Sequence, residues 1–265
     1  MLKLYDHPLS PYAQKVKIAL REKGQPFEAL TPGGLGAGGA QGEFIQANPR
    51  AEVPALVDGE VMIFDSTIIL EYLEDRWPAP ALLPATPSER ARVRMLEEAM
   101  DTHFEAINWG LSEIRWFRRA EGELERTLLA RAASQTRRWF GWLEGQLEGR
   151  PWFNGEAFGW GDLAVVPYLN GSVGHGFPPE KGSKLEDWLA RANARASVAQ
   201  TSAEAAASAS ASAMPNVAEL VRQGLFKREY RDHRLEWMIK SGGAQVVIDG
   251  LERDNIRFSP DFGPR

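Results

Sequence analysis

The chain has no cysteine in its 265 residues. That excludes disulfides, thiolate metal ligands and any cysteine nucleophile. Thiol chemistry, if it occurs here, uses a sulfur brought by the ligand. Histidine is also scarce: His7, His103, His175 and His233 are widely separated and form no i,i+4 pair, so no metal site is expected. Each reads first as a surface or capping residue. No apolar run approaches a membrane span, and Met1–Tyr5 leads straight into a strand-like pattern without a signal-peptide core. No membrane partner and a cytoplasmic location are therefore expected. The net charge is −5 with the two signs interspersed, which argues against a nucleic-acid partner. What the chain does have is enough apolar content for two modest domains and a tail.

The most informative stretch runs from Asn48 to Ser66, NPRAEVPALVDGEVMIFDS. Pro54 heads a short apolar run, and a proline at the first position of a strand leaves the residue before it outside the ladder. With a cis bond at Val53-Pro54, Val53 offers its N–H and C=O to a ligand backbone. Asp58-Gly59 between apolar runs predicts a hairpin that pairs Ala55–Val57 with Val61–Ile63. Asp65-Ser66 then opens an amphipathic helix marked by Ile69, Tyr72 and Leu73. Its free N–H groups suit a carboxylate, and the Asp65 carboxylate suits an ammonium group. A peptide-like ligand carrying both charges satisfies all three signals.

Upstream, Leu2–Tyr5 reads as a strand, and Ser10-Pro11 as a helix start, with serine at the N-cap and proline at the first helical position. Lys23-Gly24 ends that helix, and Pro26–Leu30 gives a second strand parallel to the first. The glycine-rich segment 33–42 lacks P-loop spacing and reads as a loop. The resulting order is strand, helix, strand, short helix, strand, hairpin, strand, helix, which is thioredoxin-like.

With SPYAQKVKIALREKG, NPRAEVPALV and FDSTIILEYLEDRWP in that order, the chain resembles the cytosolic glutathione transferases through about residue 200. The resemblance implies an α+β protein: a thioredoxin-like βαβαββα domain over residues 1–79, a linker at 80–87, an all-helical domain over 88–200 and an extension at 201–265. It implies glutathione as co-substrate, no metal, a small electrophilic second substrate and a homodimer. Ser10 matches the serine that hydrogen-bonds the thiolate, with Tyr5 and Tyr12 ranked below it. Val53, Pro54, Asp65 and Ser66 match the glutathione contacts, and Tyr12, His103 and Trp109 are candidates for the wall of the electrophile pocket. Glu52 departs from the family, which commonly has lysine or glutamine there; a carboxylate repels the glycine end of glutathione. A non-catalytic interaction or ligand-carrier module on the same fold is the competing reading.

Thr86-Pro87-Ser88-Glu89 reads as a capping box. From it Val93, Leu96, Met100, Phe104, Ile107, Leu111 and Ile114 mark one face of a long helix. A second stripe at Leu124, Leu128, Trp139, Leu143 and Leu147 predicts an antiparallel partner. Trp152–Gly155 followed by FGWGDLAVVPYL resembles the family's central helix, whose start normally carries a Ser/Thr-x-x-Asp box; here the cap falls on Gly159, so Asp162 alone remains of it and is assigned to folding. In the extension, the alanine-serine tract 203–213 reads as a spacer or solvated helix. The aromatic-rich segment 227–240 is expected to dock on another surface, and Val246–Leu251 to form a last short element.

Overall fold

The computed structural model describes residues 1–35, 41–211, 217–226, 235, 239 and 242–253. Strand β1 (Leu2–Tyr5) is followed by α1 (Pro11–Glu22) and β2 (Phe27–Leu30), then by the short α2 (Glu43–Ala47). Strands β3 (Ala55–Asp58) and β4 (Val61–Phe64) form the expected hairpin, and α3 (Ser66–Arg76) closes the unit. Gly59, at φ 62°, supplies the positive φ its turn needs. The sheet order is β2-β1-β3-β4. β1 and β2 are parallel, while β3 runs antiparallel to β1 and β4.

The two-residue period of the strands divides the core. Leu2, Leu4 and Leu56 face the layer containing Val16, Leu20, Ile69 and Leu73. Tyr5, Ala55 and Val57 face the other way, against Phe44 and Ala47 of α2.

A helical unit follows: α4 (Pro87–Ala99), a π turn at Met100–Phe104, α5 (Glu105–Arg115), α6 (Gly122–Leu147), α7 (Trp160–Gly174) and α8 (Lys184–Asn193). The continuous helix expected from the first apolar stripe is thus interrupted at its middle by one wide turn. The stripe still points inward: Val93, Leu96, Met100, Phe104, Leu111 and Ile114 are all buried. On α6 the stripe divides. Trp139, Leu143 and Leu147 are core, but Leu124 and Leu128 are 56% and 40% exposed and line a surface cleft.

α7 is the central helix, buried from Trp160 through Leu169, and packs on both α1 and α4. Asp162 caps it as expected: its carboxylate accepts from the Gly159 backbone N–H (3.1 Å), Phe153 N (2.8 Å), Asn154 N (3.2 Å) and Trp188 Nε1 (2.8 Å). Burial pushes its pKa up to about 6, and these four donors oppose that rise. Glycine at position 159 is dictated by space. A Cβ there would lie 2.3 Å from the Leu82 carbonyl oxygen and the Asn154 side chain.

Residues 203–211 of the alanine-serine tract belong to α9, one helix from Ala196 to Ala211, so position 201 falls inside it; 212 and 213 lie outside the described residues. Instead of being solvated on all sides, α9 packs on α1. Its one charged residue, Glu204, pairs with Lys17 (2.8 Å) and Arg21. Beyond it lie α10 (Val217–Arg222) and α11 (Ala244–Glu252), the latter matching the element expected at Val246–Leu251. Phe226 stacks on Phe117 at 6.1 Å; most of the segment 227–240 lies outside the described residues.

Candidate thiol-binding site

Two helix N-termini and one unpaired backbone segment define the site. At the first, Ser10 caps α1 with an extended backbone (φ −77°, ψ 115°), and its Oγ accepts from Ala13 N at 3.3 Å. The preceding turn is pinned by Ser10 N to His7 O (2.8 Å) and by Leu9 N to His7 Nδ1 (3.3 Å). His7 thereby acts as a local capping group, and burial lowers its pKa. Accepting from Ala13 does not use the Ser10 hydroxyl proton, which has no protein acceptor among the described residues. An anion at this position meets that O–H and the positive end of α1.

The second terminus belongs to α3. Asp65 is its N-cap and holds φ 75°, ψ 125°, an uncommon conformation for a residue with a side chain. Its Oδ1 accepts from Thr67 N (3.0 Å) and Ile68 N (3.4 Å). Ser66 is buried at the first helical position, and its N–H and hydroxyl have no protein partner among the described residues. Between the two termini, the Val53-Pro54 bond is cis. The backbone N–H and C=O of Val53 make no hydrogen bond among the described residues. The expected set Ser10, Val53, Pro54, Asp65 and Ser66 therefore comprises two helix caps and the segment that leads into β3.

The remaining expected residues are distributed elsewhere. Tyr5 is unsuited to thiol activation: its hydroxyl donates to Glu43 at 2.5 Å, and burial together with that carboxylate pushes its pKa up to about 12. Tyr12 faces the helical unit, donating to the Asp101 carbonyl at 2.8 Å and packing edge-on against Tyr168. His103 lies in the π turn, 2.7 Å from Thr102 Oγ1 and tilted against Trp139. Trp109 lines a cleft of about 420 Å3 between α5 and α6, together with Ile107, Leu124, Leu128 and Arg131. Neither Tyr12 nor His103 lines that cleft. His175 caps the end of α7 and is buried; burial first, then Arg115, pulls its pKa down to about 4.

Two features carry no signal in the one-dimensional pattern. The first is an acidic pair at the junction of the two units. Lys15, with 0% side-chain exposure, donates to Glu97 (2.7 Å) and Asp101 (2.6 Å). Glu97 also accepts from Thr67 Oγ1 (3.0 Å) and Trp160 Nε1 (2.6 Å), and Asp101 accepts from Tyr168 OH (2.6 Å). The second is Arg50. Its Nε lies 3.1 Å from Glu52, its Nη2 lies 3.9 Å from Asp65, and its guanidinium covers the Phe64 ring at 5.0 Å. Among the described residues, no group of three or more His, Asp or Glu is placed to hold a metal ion, and no helix is long and apolar enough to cross a membrane.

Residues 4–81 match the family model for the glutathione S-transferase N-terminal domain, and residues 86–196 match that for the C-terminal domain. A maleylacetoacetate isomerase from Pseudomonas aeruginosa is 31% identical over 179 residues, covering 63% of this chain and 80% of that protein. A stringent starvation protein A homolog from Coxiella burnetii is 36% identical over 104 residues, covering 39% of this chain and 48% of its own length, so that match spans about half of the relative. Among solved structures, a rice glutathione S-transferase in complex with glutathione superposes with a TM-score of 0.64 at 27% identity, covering 76% of this chain and 89% of the other. On the two matched models and the thioredoxin-like and helical units they cover, the chain belongs to the glutathione S-transferase family.

Proposed function

We propose that the protein is a glutathione-dependent transferase in which Ser10 stabilises the thiolate that attacks a small apolar electrophile. The observation that carries this reading is the pair of helix N-termini, α1 at Ser10 and α3 at Ser66, on either side of the unpaired Val53 backbone. Ser10 donates its O–H to the sulfur. Val53 pairs with the cysteinyl backbone beside Pro54, the Ser66 N–H takes the α-carboxylate of the glutamyl end, and Asp65 takes its ammonium. Lowering the thiol from a reference pKa of about 8.5 to about 6.5 requires roughly 2.7 kcal/mol of preferential thiolate stabilisation. One charge-assisted hydrogen bond and a helix end together are of that order. Conjugation, ether or halide cleavage and isomerisation share this first step, and the glutathione-bound rice relative supports the ligand. A role in cytoplasmic detoxification as a homodimer fits the same reading. Exposed Val61, Met62 and Phe64 on β4, Ile68 on α3 and Met95 on α4 offer apolar surface for a second copy.

The test is the ultraviolet absorbance of the thiolate as pH is raised, with and without protein. The expected result is thiolate appearing well below the pH at which free glutathione ionises. Ser10→Ala should abolish that shift and lower kcat/KM by ~10- to 100-fold, the value of one hydrogen bond to a charge. An unchanged curve for the variant would return Ser10 to a purely capping role. Glu52 favours the second reading, a non-catalytic ligand carrier, because it sets a carboxylate where glutathione has one of its own; binding without any thiolate shift would support that reading.

A further inference from the structure

We infer that Lys17 is a positioning residue for Ser10 and that α9 holds it in place; this rests on the glutathione reading of the site. The chain reaches Ser10 from β1 through the turn 6–10, and hydrogen bonds fix that turn at both ends. Asp6 N donates to Leu30 O at 2.9 Å, one step beyond the paired residues of β1 and β2. Ser10 N donates to His7 O at 2.8 Å, and Gln14 Nε2 reaches back to Pro8 O at 2.7 Å. The side chain of Asp6 then ties the turn to the body of α1. Asp6 and Lys17 are both buried, and Lys17 lies about two turns into α1. Its ammonium contacts Asp6 Oδ2, an atom that accepts no hydrogen bond from any other group among the described residues.

A buried carboxylate stripped of its cation has two responses. It can turn out to water, taking with it the Asp6-His7 backbone to which Ser10 N is bonded, or stay in place and oppose an anion at Ser10. Each raises the pKa of a thiol held there, and displacing a catalytic group by about 1 Å costs up to ~100-fold in rate. Lys17 is in turn held from its far side. Glu204 of α9 accepts from its Nζ at 2.8 Å and pairs with Arg21, one turn further along α1. Arg21 also donates to Thr201, one turn before Glu204. Neighbours on one helix surface thus grip neighbours on the other, which sets where the Lys17 ammonium meets Asp6. A separate pairing, Glu22 with Arg195 (2.7 Å) and Ser197, lies at the far end of α1 from Ser10 and involves neither Lys17 nor Asp6.

The experiment follows the thiolate absorbance of bound glutathione against pH in the full chain, together with kcat/KM toward a model aryl halide. Lys17→Met should raise the apparent pKa of the bound thiol and lower kcat/KM at about pH 6.5 by ~10- to 100-fold. Glutathione affinity at about pH 5.5, where the thiol is protonated, should change by less than ~3-fold, because the contacts at α3 are untouched. Adding Asp6→Asn should regain most of the loss, since no bare carboxylate remains. Glu204→Gln should lower kcat/KM by ~2- to 5-fold in the same direction. Arg195→Met, which breaks the separate pairing, should lower the Tm and leave kcat/KM within ~2-fold of the parent. A folded Lys17→Met with the parent's thiol curve, or an Arg195→Met that shifts the curve as far, overturns the positioning role, and an unchanged kcat/KM in Glu204→Gln overturns the share of α9. If Lys17→Met does not fold, Glu204→Gln carries the test, because its side chain is partly exposed. A parent protein that binds no glutathione, or binds it without a thiolate shift, overturns the glutathione-transferase reading itself.

Discussion

Replacing Lys15 with Met tests whether the junction of the two units depends on one buried charge. The ammonium has no solvent contact, and it is paired with two carboxylates, Glu97 at 2.7 Å and Asp101 at 2.6 Å. Burial alone would lower the Lys15 pKa, but Asp101 and Glu97 outweigh it and the pKa is raised. Breaking a buried ion pair by removing one partner costs ~3–5 kcal/mol. With a urea m-value of about 2.5 kcal/mol/M, the unfolding midpoint should fall by ~1.2–2 M. The loss should also depend on pH. Asp101 is held above the usual carboxylate range, first by burial and then by Glu97, while Lys15 opposes both. Without Lys15 its folded pKa rises further. A group with a raised folded pKa loses its stabilising contribution as pH rises through that value, so the gap between variant and parent should widen from pH 5 to pH 8. Urea unfolding at pH 5, 6.5 and 8 measures this. The triple variant Lys15→Met, Glu97→Gln, Asp101→Asn should regain most of the loss, because neutral groups of the same shape carry no uncompensated charge. A midpoint for Lys15→Met within about 0.4 M of the parent at pH 8, or a pH-independent loss, would refute the reasoning.

Gly159→Ser should destabilise the protein by ~1–3 kcal/mol, although serine is the better N-cap in an isolated helix. The new Cβ would overlap the Leu82 carbonyl, and a thermal melt in which the Tm rises would show that the loop yields. Glu204→Gln should cost about 1 kcal/mol at pH 7, a modest value because Glu204 is partly exposed and its pairs are screened. Burial raises the Glu204 pKa, but Lys17 and Arg21 outweigh it and the net shift is downward. Its contribution is therefore present above the unfolded carboxylate pKa and lost as pH falls through the folded one. Parent and variant should converge as pH falls through the lowered folded pKa, and a difference that persists in strong acid would point to packing instead.

Local rules made much of the fold readable. Ser10-Pro11, Thr86-Pro87 and Asp65-Ser66 each mark a helix start through a side chain that satisfies N–H groups within three residues of itself. Asp58-Gly59 fixes a hairpin through one positive φ. The parts that were not readable depend on partners far away in the chain. Lys15 looks like one more solvated charge on an amphipathic helix, and its carboxylates lie 82 and 86 residues on. Glu204 looks like an incidental residue in an alanine-rich spacer until α1 supplies Lys17 and Arg21. The π turn left no trace because it keeps Met100 and Phe104 inward while adding a residue to the turn. Leu124 and Leu128 fit the helical period, yet their side of α6 lines a cleft. Periodicity identifies a face and does not say what covers it.

The distant contacts also explain how two separate helix ends are held in place relative to one another. Tyr12, two residues after Ser10, donates to the backbone of Asp101; Thr67, the residue after Ser66, donates to the side chain of Glu97. Lys15 bonds both carboxylates, and the Trp160 and Tyr168 donors hold the same pair against the central helix. The separation between the N-termini of α1 and α3 is therefore set by one acidic turn of the helical unit as well as by the sheet. On this geometry the helical unit fixes the positions of both helix ends in addition to supplying its own surface cleft.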